Sequence, residues 1–209
     1  MTISFSRRSM LVAATVLLTR SSAFAEDSKL SESVLADLVA TIDKKRQAVK
    51  TMRASFVQER TLGLLAAKVR STGRFEIDRV RNVLEWSVAP PDEMTYRMTS
   101  EGLSYKGPHG EGRAGASTPK LGNALLDLRA LLSGSLADLR KRYTLSAQRV
   151  SEGANLLTEI RAEALDPANA AIGVFSITFG SDLTKPLRAR LVESRKDFTE
   201  ITFSDVVLG

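Results

Sequence analysis

From Met52 to Tyr105 the chain alternates apolar and polar residues in one short run after another. That period belongs to β-strands packed on one face and wet on the other. Met52, Ala54 and Phe56 alternate with Arg53 and Ser55, and Ser71, Gly73, Phe75 and Ile77 alternate with Thr72, Arg74, Glu76 and Asp78. Leu84, Trp86 and Val88 follow, then Met94, Tyr96 and Met98 against Thr95, Arg97 and Thr99, then Leu103 and Tyr105. Arg81-Asn82, Pro90-Pro91-Asp92 and Glu101-Gly102 punctuate them as turns. The last third repeats the pattern, with strands expected over Tyr143–Val150, Leu156–Ala164, Gly173–Phe179, Leu187–Glu193 and Phe198–Val207.

Two stretches break the alternation. Ser28–Met52 reads as an amphipathic helix, with Leu30, Val34, Leu35, Leu38, Val39 and Ile42 at three- and four-residue spacing. Leu121–Tyr143 returns to that spacing through Leu121, Leu125, Leu128, Leu131 and Leu132, breaks at Ser133-Gly134-Ser135, and resumes with Leu136 and Leu139. Gly107–Pro119 is rich in Gly and Pro and reads as a mobile loop. The expected class is mainly β with helices, α+β. About ten antiparallel strands in one chain must curl strongly or form a sandwich. A curled sheet with helices on its concave side hides its apolar face, and a closed barrel is the alternative. No internal repeat or linker divides the chain.

The beginning of the chain carries a different signal. Residues 1–25 read as a cleavable leader: a basic start at Arg7-Arg8, an apolar run Met10–Leu18, and Ala23-Phe24-Ala25 as the cleavage site. Spanning a bilayer takes about 20 apolar residues, more than this run supplies. Ser6-Arg7-Arg8-Ser9-Met10-Leu11 resembles a twin-arginine export pattern, and an ordinary secretory leader is the equal alternative. Either route predicts residues 26–209 as one soluble domain in the periplasm. Of the chain's +6 formal charge, Arg7, Arg8 and Arg20 leave with the leader, so 27 basic side chains face 24 acidic ones. That near-balance gives no basic stripe of the kind nucleic acid requires.

Composition excludes much chemistry. The absence of cysteine rules out disulfides, thiolate metal sites, a cysteine nucleophile and a lipid-anchoring cysteine. The single histidine, His109, lies in Gly107-Pro108-His109-Gly110 and is expected to be exposed. Glu76 with Asp78, and Asp92 with Glu93, are paired acids, but Arg74 and Arg79 interleave with the first pair and mark a solvated strand face. No nucleophile elbow, zinc motif, Walker loop or dinucleotide fingerprint occurs. No catalytic residue, metal ligand or cofactor is expected. What remains is the apolar face. Met52, Phe56, Phe75, Trp86, Met94, Tyr96, Met98 and Tyr105 put large, adaptable side chains on one side of successive strands. Leu125 and Leu128 lie in the helical segment placed to cover it, so together they are the candidate lining of a lidded apolar pocket. A permanently packed core is the plainer reading of such a stripe.

The order of motifs resembles a known family. Met52-Arg53-Ala54-Ser55-Phe56-Val57-Gln58 is similar to its helix-to-strand segment. Thr72-Gly73-Arg74-Phe75-Glu76-Ile77-Asp78-Arg79 and Val83-Leu84-Glu85-Trp86-Ser87-Val88-Ala89-Pro90 resemble its next two strands. Ser100-Glu101-Gly102 stands at its turn, and Phe198–Asp205 resembles a late strand. This is the LolA-like family of periplasmic lipoprotein carriers.

The resemblance implies an incomplete antiparallel barrel with helices plugging its mouth. Its cavity would take the acyl chains of lipoproteins, or of another envelope lipid, from an inner-membrane transporter and pass them to an outer-membrane acceptor, the carrier acting as a monomer. It implies, too, an arginine at the end of the second strand that holds the lid shut. That role falls on Arg79, with Arg81 as the second candidate. The chain ends at Gly209, just past its last expected strand, so the resemblance is to a short variant without the classical carboxy-terminal extension. The competing expectations are a small periplasmic hydrolase using Glu76, Asp78 or Glu85, and a non-lipid-binding interaction protein of the same fold.

Overall fold

The computed structural model describes residues 29–63, 67–113, 127, 129, 132, 136–168, 170, 172–194 and 196–209. Helix α1 (Glu32–Gln47) opens them, with Ser31 in extended backbone as its N-cap. Leu35, Leu38, Val39, Ile42 and Arg46 form its buried stripe, and Lys44, Lys45 and Arg46 place positive charge at the carbonyl end, where the helix dipole favours it. The expected helix over Ser28–Met52 is therefore too long. Its last residues turn at Ala48–Lys50 and give Thr51 and Met52 to a strand. Val34, expected on the apolar stripe, is exposed.

The strands are β1 (Thr51–Leu62), β2 (Ala67–Asp78), β3 (Val83–Val88), β4 (Met94–Thr99), β5 (Gly102–Gly107), β6 (Gly110–Arg113), β7 (Tyr143–Glu152), β8 (Asn155–Ala164), β9 (Val174–Phe179), β10 (Pro186–Val192) and β11 (Asp197–Leu208). They make one antiparallel sheet of 11 strands in the order β6-β5-β4-β3-β2-β1-β11-β10-β9-β8-β7. The two sequence-defined meanders thus join through β1 and β11, the first and last strands of the chain. β6 corrects the expected loop over Gly107–Pro119: Gly110–Arg113 pairs with β5, and Pro108-His109 is the connecting turn.

The alternation falls on the expected faces except at Asp78, expected on the solvated face of β2 but buried where the strand ends and Arg81 turns back to bond it. β1 buries Met52, Ala54 and Phe56 and exposes Arg53; β2 buries Phe75 and Ile77 and exposes Arg74 and Glu76. Phe175, Ile177 and Phe179 of β9 and Ile201 and Phe203 of β11 extend the same buried face. A short helix, α2 (Leu136–Leu139), leads into β7. Leu132, Leu136 and Leu139 are wholly buried and join the α1 stripe and the inner sheet face in one apolar cluster. α1 packs against α2 and β7, and Leu30 N–H donates to the Ala147 carbonyl, tying the entry to α1 onto the edge strand.

Candidate functional site

The centre of the inner face is aromatic. Phe56 stacks on Trp86 with ring centroids 4.1 Å apart, Trp86 lies parallel to Phe75 at 5.8 Å, and Phe75 meets Phe203 edge-on at 5.4 Å. Phe56 faces Gly73 across the β1–β2 ladder. A Cβ on Gly73 would come within 2.5 Å of Phe56 Cζ, so the missing side chain is what lets the ring lie flat on β2. The same device recurs at the sheet margin, where the Tyr105 ring lies over Gly112.

Of the expected lining residues, Met52, Phe56, Phe75, Trp86 and Met98 are buried on this face. Met94 and Tyr96 are half-buried nearer the β6 edge, and Tyr105 is exposed at the margin. Leu125 and Leu128 lie outside the described residues.

The helical cover is attached by specific polar contacts. The Asp43 carboxylate of α1 accepts the backbone N–H groups of Leu136 at 3.1 Å and Ala137 at 3.4 Å, satisfying amides that open α2. Arg140, just after α2, pairs with Glu32 in the first turn of α1 at 3.5 Å. Asp127, a helical residue buried to 1% exposure, accepts the Tyr143 hydroxyl at 2.5 Å and pairs with Arg142 at 2.6 Å. Burial pushes the Asp127 carboxyl above the usual aspartate range despite these partners, and burial with Asp127 beside it pushes the Tyr143 phenol up.

Two arginines meet at the carbonyl end of α1. Arg79, at the end of β2, donates through Nη1 to the carbonyl of Arg46, and more weakly to that of Val49 at 3.4 Å. Arg46 is 1% exposed, with its guanidinium 4.5 Å above the Phe179 ring. Burial, with the like charge of Arg79, pushes it down to about 10, against the opposing pull of Asp43 and Asp182. Arg46, Val49, Thr51, Met52, Ile77, Arg79 and Leu132 line a crevice of about 10 Å³, space for about one water. Arg81 sits elsewhere: its Nε pairs with Asp78 at 2.5 Å on the outer corner of the β2–β3 turn. Its backbone N–H and guanidinium hold Asp78 below the usual carboxylate range.

The acids weighed for catalysis do not assemble. Glu76 lies opposite Glu85 on the outer face, and Glu85 pairs with Arg97 at 3.3 Å. His109 is exposed in its turn. Among the described residues no group of three or more His, Asp or Glu side chains is placed to hold a metal ion. Sequence reasoning missed Asp43, Arg46 and Asp127. Arg46 was signalled by spacing, four residues beyond Ile42 on the buried stripe, while Asp43 and Asp127 looked like ordinary helix-surface acids.

The family model "Outer membrane lipoprotein carrier protein LolA" matches residues 47–208. The fold is similar to that of a LolA superfamily protein from Nitrosomonas europaea, 9% identical with a TM-score of 0.43, over 83% of this chain and 93% of that one. It is similar also to the Mycobacterium tuberculosis lipoprotein LppX, 14% identical with a TM-score of 0.48, over 84% of this chain and 96% of that one. Among curated proteins none matches the sequence. The family model spans every strand of the sheet, from the first residue of β1 to the last of β11, and on that match the chain belongs to the LolA family.

Proposed function

We propose that this protein is a periplasmic carrier that binds the acyl chains of a lipoprotein or another envelope lipid between its sheet and its helical cover, and moves them toward the outer membrane. In this reading residues 1–25 are the export signal, the sheet is an unclosed barrel, and the protein has no catalytic activity. The observation that carries the proposal is how the cover is fastened. It joins the apolar cluster of the inner face through leucines and is tied by side chains such as Asp43 to Leu136 and Arg79 to the Arg46 carbonyl, with the sheet's own ladder independent of both.

Energetics support exchange without nucleotide. Withdrawing Leu132, Leu136 and Leu139 from the face costs about 5–9 kcal/mol at about 1.5–3 kcal/mol per side chain. Burying about 6–11 methylenes of a guest at about 0.8 kcal/mol each offsets that. An ordinary fatty chain therefore replaces the cover at near balance and can leave again. The test is organic extraction and mass spectrometry of the protein purified from a periplasmic fraction. Co-purifying acyl lipid is expected. A protein recovered from the periplasm without lipid, and unable to take up acyl amphiphiles in vitro, overturns the reading in favour of a permanently packed interior.

A further inference from the structure

The end of the sheet formed by β6 carries a pattern that fits a second copy of this chain. We infer that two copies pair antiparallel through the open edge of β6, centred on Gly112, as a weak and reversible dimer in place of the monomer that the family resemblance implies.

One cross-strand row of the inner face leads out to that edge. Phe75 faces Trp86, Trp86 faces Tyr96, Tyr96 faces Tyr105 and Tyr105 faces Gly112. Phe75 and Trp86 are buried, Tyr96 is half-buried and Tyr105 is 39% exposed. The aromatic row thus loses cover strand by strand until it stops at a residue without a side chain, with the Tyr105 ring lying over Gly112. Among the described residues nothing pairs with the other side of β6.

The backbone fixes what the edge offers. Gly107 and Gly110 flank the two-residue turn Pro108-His109 and form the hydrogen-bonded pair that closes the hairpin. Bonding alternates along the strand, so Gly112 also turns its N–H and C=O toward β5, whereas Glu111 and Arg113 turn theirs outward. An antiparallel copy centred on Gly112 sets Glu111 opposite the partner's Arg113, and Arg113 opposite the partner's Glu111. Both are hydrogen-bonded pairs, so the peptide groups of the two edges satisfy one another. The two glycines meet as the closer, non-bonded pair, and each Tyr105 ring gains cover from the other copy.

Charge selects both the occupant and the register. Glu111 and Arg113 are exposed on the outer face, with Lys106 opposite Glu111 and Glu101 3.9 Å from Arg113. Across the join the charges run Lys106, Glu111, the partner's Arg113 and the partner's Glu101, alternating in sign. Moving the centre by one residue sets Arg113 against the partner's Arg113, or Glu111 against the partner's Glu111, and like charges directly opposite destabilise a strand pair. β6 has only four residues, and a contact that small is transient.

Sedimentation equilibrium of the purified protein over about 0.01–1 mM, the range in which a contact this small associates, tests the proposal. Apparent mass is expected to rise with concentration toward that of a dimer, and to rise less in high salt. Glu111→Arg places like charges at both pairs, and so does Arg113→Glu. Each variant is expected to stay monomeric with the melting temperature of wild type. An equimolar mixture of the two restores opposite charges at both pairs and is expected to dimerise, as is the double variant carrying both substitutions. Wild type that remains monomeric throughout overturns the proposal and leaves the edge to a strand of another protein. Association that persists in both single variants, or that their mixture and the double variant fail to restore, also overturns it by placing the contact elsewhere. Neither result touches the carrier reading, which needs only one copy.

Discussion

The Asp43 carboxylate and the Leu136 backbone amide lie 3.1 Å apart, joining the two helices that cover the sheet. α2 has only four residues, so it has few hydrogen bonds of its own and depends on a borrowed cap. Replacing an N-capping carboxylate costs about 1 kcal/mol. For a chain of this size that moves the melting temperature by about 2–4 °C. Asp43→Ala is therefore expected to melt about 2–4 °C lower and to take up a hydrophobic dye more readily, with Asp43→Asn between the two. Unchanged melting and uptake in Asp43→Ala would remove the tie from the closing mechanism.

Arg79 and Arg81 make opposite predictions although only Val80 separates them. Arg79 holds carbonyls at the end of α1, whereas Arg81 holds Asp78 at the outer corner. Arg79→Leu is expected to raise basal dye uptake and slow release to an acceptor membrane. Arg81→Leu is expected to leave both rates within error of wild type. Stopped-flow dye binding distinguishes them, and equal behaviour of the two variants refutes the assignment of the latch to Arg79.

The sheet was legible because its inner and outer residues differ sharply in polarity, strand after strand. Phe75 between Arg74 and Glu76 admits one orientation only. The short strand at Gly110–Arg113 was hidden because its residues carry turn chemistry, and what makes them a strand is pairing with Ser104–Gly107. The end of α1 was misplaced for a related reason: Met52 fits a helix stripe and a strand face equally well, and β11 and β2 claim it from either side. The aromatic half of the site followed from alternation. The polar fastenings did not, since Asp43 and Asp127 acquire partners only when distant backbone and side chains converge on them.

Gly73 makes a packing prediction that separates ring placement from strand propensity. Alanine is ordinarily a better strand residue than glycine. Here its Cβ would crowd Phe56 Cζ at 2.5 Å and collide with the Ser87 carbonyl on β3. Gly73→Ala is thus expected to destabilise by about 1–3 kcal/mol, the usual cost of overpacking. Phe56→Ala should relieve part of that penalty, giving a measurable coupling in a double-mutant cycle by urea unfolding. Additive losses would show that the ring does not depend on the glycine.

Asp127 makes the chain's stability depend on pH in a direction opposite to that of most salt-bridged acids. Burial raises its folded-state pKa above the ordinary value of 3.8, so the native state binds this proton more tightly than the unfolded chain does. The associated stability is complete below the unfolded value and is lost as pH rises through the folded one. Asp127→Asn keeps an acceptor for the Tyr143 hydroxyl and removes the buried charge, leaving Arg142 half-exposed and able to hydrate. Wild type is therefore expected to lose stability relative to Asp127→Asn as pH rises from 3.8 toward neutrality. Tyr143→Phe works the other way. It removes a donor from a buried carboxylate, a loss of about 1–3 kcal/mol that should be larger at neutral pH than in acid, where the carboxyl carries its own proton. Thermal unfolding of the three proteins between pH 4 and pH 7 checks both signs. Parallel pH profiles for wild type and Asp127→Asn would mean that Arg142 and Tyr143 compensate the buried charge in full, and that the cover's attachment is indifferent to protonation.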